Sequence, residues 1–344
     1  MSSLISIIHK GKDLGRKALY RLLPAPLLNK YIRSRLPRML NLEATTACNL
    51  ECPLCSTHIL DRRTRYLKPE HMENILQECG PLKLVCFHIM GEPMVHPQLF
   101  DFIRRFNEVG VDTHFGTNAI LLDEKIDEVL DSGLTSVSIA IDGADAEDYE
   151  KYRKRGSFDK AVNSTKKLLA KREERGQKKP EVQVQTIMFS YNEDREDDVK
   201  EMLNDIGADS IALKRPSYYH DYDEWKRENA TVGEAKLERT IKNAEQFLEK
   251  VDWENGDRKY TRPQDESNTT LYRNQPMCPQ MEKGTVLCDG SVVACCMDAT
   301  GKTTFGNLSE QTFADIWRGE AHKKLIEEFQ NRTLSVCQHC SLRS

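Results

Sequence analysis

Eleven cysteines stand out in this chain of 344 residues, and seven of them form two spaced groups. Cys48, Cys52 and Cys55 are separated by three and then two residues, and they directly follow an apolar run that predicts a strand. Three thiolates suit a [4Fe–4S] cluster in which one iron stays free for another ligand. The alternative is zinc, which these three cysteines and His58 could bind tetrahedrally.

The second group of cysteines consists of four residues near the other end of the chain: Cys278, Cys295, Cys337 and Cys340. A hairpin-like segment with an expected turn at Asp289 and Gly290 separates the first two, and a predicted helix over residues 311–330 precedes the last two. Four thiolates would close the coordination of a cluster or of a zinc ion completely. Cys296 adjoins this group and could supply a ligand instead of its neighbour, and Cys288 is close in sequence.

The composition indicates a soluble globular protein, because 30 % of the residues are charged, 39 % are hydrophobic and the mean hydropathy is −0.61. No run approaches the roughly 18 apolar residues of a membrane-spanning helix. No secretory signal precedes the cysteines, so we expect a cytoplasmic location, reduced thiols and no disulfide framework. Clustered cysteines in such a protein more often hold metal.

Short apolar runs and helical patterns alternate from residue 39 onward, and they predict the elements that position the cysteines. The predicted strands lie at residues 40–45, 84–90, 111–116, 136–141, 182–188 and 210–214. The predicted helices lie at residues 69–79, 97–108, 123–132, 158–173, 194–206 and 233–250. Six such units predict an α/β protein with a partial (β/α)6 TIM-like barrel. Ligands of parallel sheets bind at the carboxyl ends of the strands, where the first cysteine group is expected.

Residues 1–40 differ from the rest of the chain in charge. They contain nine Lys or Arg and one acid, which gives a net charge of +8, so the remaining residues carry −12. Apolar residues between Leu4 and Leu22 recur at helical spacing, which predicts a basic amphipathic helix that ends at Pro24 and Pro26. This helix could contact a membrane surface weakly, or it could pack on the main domain. The acidic remainder argues against nucleic acid as a partner.

These features divide the chain into four predicted segments. They are a basic N-terminal segment at residues 1–38, the barrel at 39–252, a polar linker at 253–276 and a small cysteine-rich domain at 277–344. The last segment contains six of the eleven cysteines, so we expect it to bind metal separately from the barrel.

The spacing Cys-x-x-x-Cys-x-x-Cys after the first strand of a βα repeat resembles that of the radical S-adenosylmethionine (SAM) superfamily. Met90-Gly91-Glu92-Pro93 closes the second strand and resembles the Gly-Glu motif of that family, whose backbone holds the amino group of SAM. Without this context the segment would be read as an ordinary turn. The resemblance implies a SAM-binding role for Gly91, Glu92 and Pro93.

Three further positions carry the same resemblance. Asn118 closes the third strand in a Thr-Asn pair like the Thr-Asn-Gly motif of the family, with Ala119 in place of the glycine. Asp142 closes the fourth strand in a pair like the Ser-x-Asp-Gly motif, with Ala140 in place of the serine. Arg153 resembles the arginine that contacts the carboxylate of SAM. As alternatives, Asp142 could cap a helix and Arg153 could be a solvated charge.

The C-terminal segment resembles the SPASM/twitch extension of radical SAM enzymes. Besides the cysteines, the sequences Phe305-Gly-Asn-Leu308 and Ile316-Trp317 match that extension. The further cysteines of the full SPASM pattern do not follow Cys340, so we expect the short twitch form. The resemblance implies one auxiliary [4Fe–4S] cluster with four ligands: Cys278, Cys295, Cys337 and Cys340.

The resemblance also implies a reaction. A reductant such as flavodoxin or ferredoxin would reduce the first cluster, which cleaves SAM to a 5′-deoxyadenosyl radical that abstracts a substrate hydrogen atom. The auxiliary cluster would accept an electron, so the net reaction would be an oxidation. A small molecule of the alcohol or sugar type is the favoured substrate, and oxidation, cross-linking or epimerisation of a peptide or protein is the alternative. A zinc- or cluster-binding scaffold without catalysis is the third interpretation.

An oxidation of this kind also requires a base. Tyr218, His220 and Asp221 lie in a polar run after the sixth strand and are the predicted acid–base residues. His58 and His88 are further candidates, because they lie in a cysteine loop and at a strand end. The alternative for the polar run is an ordinary surface loop, since loops carry such residues anyway.

Overall fold

The structure of the protein, a computed structural model, describes residues 24–58, 66–78, 80–189, 191–214, 233–245, 247, 253–254, 257–258 and 278–337. Six parallel strands lie side by side in chain order. They are β1 (Met39–Leu42), β2 (Leu84–Phe87), β3 (Asp112–Thr117), β4 (Ser136–Ala140), β5 (Glu181–Ile187) and β6 (Ser210–Lys214). Each strand pairs in parallel with the next, so the predicted α/β partial barrel is confirmed.

Eight helices of the described residues precede, connect or follow these strands. They are α1 (Ala25–Arg33), α2 (Pro69–Leu76), α3 (Leu99–Glu108), α4 (Ile126–Asp131), α5 (Ala146–Tyr152), α6 (Phe158–Glu174), α7 (Glu196–Ile206) and α8 (Glu234–Glu245). Short 3-10 turns lie at Ser56–His58, Pro93–Val95, Asp123–Lys125, Glu193–Arg195 and Ser335–Cys337. Helices α1 and α5 were not predicted. The Asp145 side chain caps α5 by accepting a hydrogen bond from the Asp148 N–H.

The two faces of the barrel sheet differ in polarity. Leu40, Val85, Phe115, Ile139 and Val184 belong to one hydrophobic core with apolar helix residues, and each is at most 1 % exposed. The residues that alternate with them point to the concave face and are polar or small: Asn41, Cys86, His114, Gly116, Ser136, Ser138, Gln183 and Gln185. Because strands buried on both faces read as continuous apolar runs, this alternation indicates a polar interior.

A small antiparallel pair of strands lies inside the predicted linker at residues 253–276. Its strands are β7 (Trp253–Glu254) and β8 (Asp257–Arg258). The rest of the predicted linker lies outside the described residues, and the four segment boundaries stay a prediction.

The C-terminal residues extend the barrel sheet. The added strands are β9 (Gly284–Val286), β10 (Ser291–Val292) and β11 (Gly306–Asn307). Strand β9 pairs in parallel with β1, and β10 and β11 follow in antiparallel pairs, so the sheet has nine strands. Asp289 and Gly290 lie in the β9–β10 connection, as predicted for the hairpin turn. The cysteine-rich part is therefore joined to the barrel by main-chain hydrogen bonds.

The prediction of one helix over residues 311–330 is wrong. The structure has two helices, α9 (Phe313–Arg318) and α10 (Glu320–Gln330), with Gly319 between them. Gly319 is extended, with φ −65° and ψ 164°, so the backbone changes direction there. The Thr312 side chain caps α9 by accepting a hydrogen bond from the Asp315 N–H at 3.2 Å. A glycine inside a helical pattern was the available signal for the break.

Helix α1 packs on the C-terminal part of the chain. Arg33 donates to the carbonyl oxygen of Arg318 from Nε at 3.1 Å and pairs with Glu320 at 3.0 Å. Pro24 and Pro26 therefore stand at the start of a helix, where proline is tolerated because the first N–H groups need no partner in the helix.

The predicted helix between Leu4 and Leu22 lies outside the described residues, so its contact with a membrane surface stays a prediction. In the part of the chain that the structure describes, every helix is too short or too polar to cross a bilayer.

Candidate functional site

The loop that carries Cys48, Cys52 and Cys55 follows β1, and residues at the ends of neighbouring strands hold its backbone. Gly91, after β2, has φ +73°, and a Cβ atom there would lie 2.3 Å from the Thr45 carbonyl oxygen. Only glycine fits such a position. This close approach lets the Glu92 N–H donate to the Ala47 carbonyl oxygen at 2.8 Å. The Gly91-Glu92 segment therefore holds the cysteine loop by close backbone contact and is more than an ordinary turn.

The Glu92 carboxylate joins the ends of β2 and β3. It accepts hydrogen bonds from the Thr117 hydroxyl at 2.9 Å, the Asn118 N–H at 2.9 Å and the Met94 N–H at 3.2 Å. Burial raises the pKa of this carboxyl group, whereas the three donors lower it. The Glu92 carboxylate is therefore engaged by hydrogen bonds within the protein. The backbone of Glu92, not its side chain, contacts the cysteine loop.

Asn118 extends this link from β3 to the cysteine loop. Its side-chain Nδ2 donates to Asn49 Oδ1 at 2.8 Å, and Asn49 adjoins Cys48. Ala119, which stands where the family motif has glycine, adopts φ +61°. This left-handed conformation is costly for an L residue with a Cβ atom, so the chain keeps the glycine geometry without the glycine.

Asp142 and Arg153 form a largely buried ion pair at the end of β4. Arg153 Nη2 lies 2.5 Å from Asp142 Oδ2, and the side chains are 15 % and 0 % exposed. Asp142 Oδ1 also accepts from the Ile187 N–H at 2.7 Å. Neither alternative from the sequence holds, because Asp145 caps the next helix and Arg153 is not a solvated charge.

Arg153 also reaches the cysteine loop. Its Nη1 lies 3.8 Å from Cys52 Sγ, and the Glu51 N–H donates to the Lys154 carbonyl oxygen at 3.0 Å. Four residues of the cysteine loop thus have fixed contacts. Ala47 bonds to Glu92 after β2, and Asn49 bonds to Asn118 after β3. Glu51 and Cys52 contact Lys154 and Arg153 after α5. The structure thus brings the cysteine loop together with Gly91, Glu92, Asn118, Asp142 and Arg153.

The three thiols suit an iron–sulfur cluster, because the positive charge of the iron ions would favour their deprotonation. Loss of hydration beside the protein raises the pKa of Cys48 to about 11 although this residue is exposed, and burial raises the pKa of Cys52 to about 12. The Arg153 charge lowers both pKa values. Such thiols stay protonated until a metal binds, because metal coordination deprotonates them. Among the described residues, no three Cys, His, Asp or Glu side chains converge on one point as ligands of a single ion. A four-iron cluster does not require that, since each thiolate binds a different iron.

The second cysteine group is described in part. Cys295 is buried and Cys278 and Cys337 are half-buried, whereas Cys340 lies outside the described residues. Cys288 is fully buried, and its N–H donates to Glu43 Oε2, at the end of β1, at 3.0 Å. Cys288 is therefore a core residue that helps dock the C-terminal part on the barrel.

Cys296 is half-buried, whereas Cys288 is fully buried. Burial raises the pKa of Cys86 to about 11, and Cys296 adds to this rise. The choice between Cys295 and Cys296 as a ligand stays a prediction. The predicted acid–base residues Tyr218, His220 and Asp221 lie outside the described residues.

Sequence reasoning missed a polar chamber inside the barrel. We call it the interior chamber and define it by five residues on the concave side of the sheet: Cys86, His88, His114, Ser138 and Gln183. Alternation of polar and apolar residues in β2 to β5 was the signal that could have revealed it. His88 lies three residues before Gly91, so the chamber adjoins the cysteine loop.

Two family models match the chain. Residues 42–206 match the model of the Radical SAM superfamily, and residues 278–341 match SPASM, an iron-sulfur cluster-binding domain. The first match covers most of the barrel and the first cysteine group, and the second covers the C-terminal part with the second group.

Curated relatives share about a quarter of their residues with this chain. The PqqA peptide cyclase of Bradyrhizobium diazoefficiens is 27 % identical over 190 residues, which are 54 % of this chain and 48 % of the relative. The mycofactocin maturase MftC of Mycolicibacterium smegmatis is 26 % identical over 322 residues, which are 88 % of this chain and 75 % of the relative. The chain thus aligns with about half the length of the peptide cyclase.

A solved structure shares the fold. SuiB of Streptococcus suis, bound to the precursor peptide SuiA, matches with a TM-score of 0.58 and 14 % identity, over 89 % of this chain and 70 % of SuiB. At this identity the likeness shows the fold alone.

Proposed function

We propose that this protein, which belongs to the radical SAM superfamily and carries a C-terminal SPASM iron–sulfur domain, modifies a peptide substrate. It is a radical SAM enzyme, and its cofactors are SAM and [4Fe–4S] clusters. We further propose that it is an oxidoreductase, that its substrate is a peptide and that the cysteines named above bind the clusters.

The relationship to a PqqA peptide cyclase carries the peptide proposal. The maturase MftC, which aligns over 88 % of this chain, also supports it. These relatives give no support to the alcohol- or sugar-type substrate that the sequence favoured. We therefore prefer the alternative, in which a peptide is oxidised, cross-linked or epimerised.

The residues around the cysteine loop fit the SAM-dependent cluster. When bound, SAM and the reduced cluster supply abstraction of a hydrogen atom from an unactivated C–H bond. Cys48, Cys52 and Cys55 would hold the cluster. The backbone at Gly91, Glu92 and Pro93 would orient the amino group of SAM.

Arg153 would face the carboxylate of SAM, and Asp142 holds the guanidinium in place at 2.5 Å. Asn118 would keep the cysteine loop against β3 through Asn49. Their shared task is to fix the position of the loop, because the geometry of reacting groups decides such chemistry.

The remaining assignments extend this proposal. Four cysteines would hold the auxiliary cluster: Cys278, Cys295, Cys337 and Cys340. Tyr218, His220 and Asp221 would serve as acid–base residues, and flavodoxin or ferredoxin as the reductant.

An anaerobic reconstitution tests the proposed function. The full chain should bind about eight irons, as two [4Fe–4S] clusters require. With SAM and dithionite in D2O, it should change the mass of short peptides encoded beside its gene, because oxidation and cross-linking remove hydrogen and epimerisation exchanges one hydrogen for deuterium. The triple variant Cys48→Ala, Cys52→Ala, Cys55→Ala should keep about four irons and change no peptide.

The control is Cys79→Ala, because Cys79 belongs to neither predicted ligand group, and this variant should retain the iron of both clusters. Cleavage of SAM with consumption of a sugar alcohol and no peptide product would reject the peptide proposal and restore the small-molecule alternative.

A further inference from the structure

A groove lies between helices α1 and α10, where the N-terminal helix meets the C-terminal part of the chain. Its volume is about 670 Å³, which is in the range of ligand pockets. The lining residues come from α1, from the end of α9 and from α10. None of them is assigned to SAM or to a cluster, so the groove is separate from those sites.

The two helices that form the groove are fixed to each other. Ile32 of α1 and Phe329 of α10 belong to the same buried hydrophobic core. Gln330 Nε2 donates to Asn29 Oδ1 at 3.0 Å, and Arg33 holds the other end of α1 against the start of α10. The shape of the groove is therefore set by packed helices before any ligand binds.

Cations predominate among the charged residues that line the groove. The cations are Lys30, Arg33, Arg318 and Lys323, and the acid is Glu327. The neighbouring carboxylate of Glu320 pairs with Arg33 and with Lys323, each at 3.0 Å. Four cations and two acids leave an excess of two positive charges at the groove.

Lys30 and Arg318 carry this excess. Both residues are exposed, and neither side chain has an ion-pair partner in the part of the chain that the structure describes. A ligand with carboxylates would give these two cations the partners that they lack, through charge-assisted hydrogen bonds.

Two side-chain amides also line the groove. Asn29 Oδ1 is the acceptor for Gln330 Nε2, so Asn29 Nδ2 and Gln330 Oε1 stay without a hydrogen-bond partner among the described residues. An amide donor beside an amide acceptor matches the C=O and N–H groups of a peptide backbone. A lipid headgroup would match the charge of the groove, whereas a peptide with acidic side chains matches both the charge and the amides.

The residues that precede α1 do not match the groove in charge. Residues 1–23 contain five Lys or Arg and one Asp, so they carry a net charge of +4. Because like charges across an interface oppose binding, these residues are a poor occupant of a cationic groove.

We propose that the groove between α1 and α10 binds an acidic segment of the peptide substrate, with Lys30 and Arg318 as its principal contacts. This inference rests on the proposed function and adds a recognition segment that is separate from the modified residue. The carboxylates of the segment would pair with the two cations, and its main chain would bond to Asn29 and Gln330. Complementary charge of this kind gives specificity and faster association.

Two fluorescein-labelled probe peptides of eight residues test the charge requirement. One contains four Glu and the other has Gln at the same positions, and each is titrated into the cluster-loaded full chain while fluorescence anisotropy is measured. We expect the Glu probe to bind about tenfold or more tightly, as the loss of charge-assisted hydrogen bonds predicts. This preference should weaken as salt is added, because salt screens exposed charges.

Variants assign the preference to the groove. Lys30→Gln combined with Arg318→Gln should weaken binding of the Glu probe about tenfold, whereas Lys30→Glu combined with Arg318→Glu should favour a probe with four Lys instead. Lys324→Gln is the matched control, since Lys324 is an exposed residue of α10 that does not line the groove. Unchanged iron content and melting temperature establish that each variant is folded.

Equal binding of the Glu and Gln probes, no binding of either, or a preference that survives both double variants would overturn the inference. Binding of phosphatidylserine vesicles without binding of the Glu probe would overturn it in favour of a lipid surface. Any of these results together with modified peptides leaves the proposed function intact. A groove-dependent Glu preference in a protein that modifies no peptide would instead reject the proposed function and keep the groove as a site for acidic peptides.

Discussion

Arg153 connects Asp142 to the cysteine loop: its guanidinium lies 2.5 Å from Asp142 Oδ2 and 3.8 Å from Cys52 Sγ. A charge at the end of β4 is thereby fixed at the place where the iron-binding thiols are expected. The pair is nearly closed to water, so each partner depends on the other for compensation of its charge.

Arg153→Gln should therefore be strongly destabilising. It leaves the buried Asp142 carboxylate unpaired, which we expect to lower the free energy of unfolding by about 3–5 kcal/mol. In the folded fraction, SAM affinity should fall by about tenfold or more, because a charge-assisted contact is lost. Denaturant titration and calorimetry with SAM measure the two effects.

Arg155→Gln is the neighbouring control for this change. Arg155 pairs with Glu51 at 2.9 Å, but the side chains are 68 % and 50 % exposed. Its replacement should cost at most about 1 kcal/mol, since exposed ion pairs contribute little. Equal losses in the two variants would contradict the role given to Arg153.

Gly91→Ala should disrupt the cysteine loop. The new Cβ would lie 2.3 Å from the Thr45 carbonyl oxygen and 2.7 Å from that of Ala47, so the backbone must move. We expect less than half of the wild-type iron at the first cluster, measured by iron analysis and by the electron paramagnetic resonance signal of the reduced protein. Gly80→Ala, where nothing lies within 4 Å of the added atom, should load iron normally.

Ala119→Gly should stabilise the protein. Ala119 has φ +61°, and relief of this left-handed strain should raise the free energy of unfolding by about 1 kcal/mol. Ala161→Gly in helix α6 is the comparison and should lower it by about 1 kcal/mol, because glycine weakens a helix interior. Changes of the same sign in chemical denaturation would show that Ala119 is not strained.

His322 should make stability depend on pH. Burial lowers its pKa to about 4, and its Nδ1 lies 2.7 Å from the Trp317 carbonyl oxygen. The unfolded histidine titrates near 6.5, so the unfolded state takes up the proton first as the pH falls. The stability from neutral His322 is complete above about pH 6.5 and is lost towards pH 4, with about 2 kcal/mol lost between pH 7 and 5.

His322→Gln removes this titration, so the variant should lose about 2 kcal/mol less than the wild type between pH 7 and pH 5. Urea denaturation at the two pH values measures the difference. Identical pH slopes for the two proteins would refute the assignment.

The strand-end positions of the site could be predicted from sequence, whereas the partners of the side chains could not. Glu92 and Asp142 follow β2 and β4 as expected, because the strand periodicity is local. Their hydrogen bonds run to Asn118 and Ile187 on neighbouring strands, and such contacts depend on the register of the sheet. The sequence thus placed these residues at strand ends without revealing that their side chains join neighbouring strand ends through hydrogen bonds.

The interior chamber was missed for a different reason. His88 and His114 were considered one at a time, and a single histidine in a strand gives no indication of its neighbours. Only the parallel register, with Cys86 opposite His114, places the polar residues of adjacent strands on one concave face.

The pairing of β1 with β9 has a consequence for how the protein is made. Asn41 contacts Thr285, which a ribosome adds 244 residues later. At the usual 5–20 residues per second, the first strand waits roughly 10–50 s for that partner. During this time one edge of the nascent barrel is unpaired, and such edges recruit other chains. Slower elongation or a missing C-terminal part should therefore reduce the soluble yield more than the loss of any single core contact.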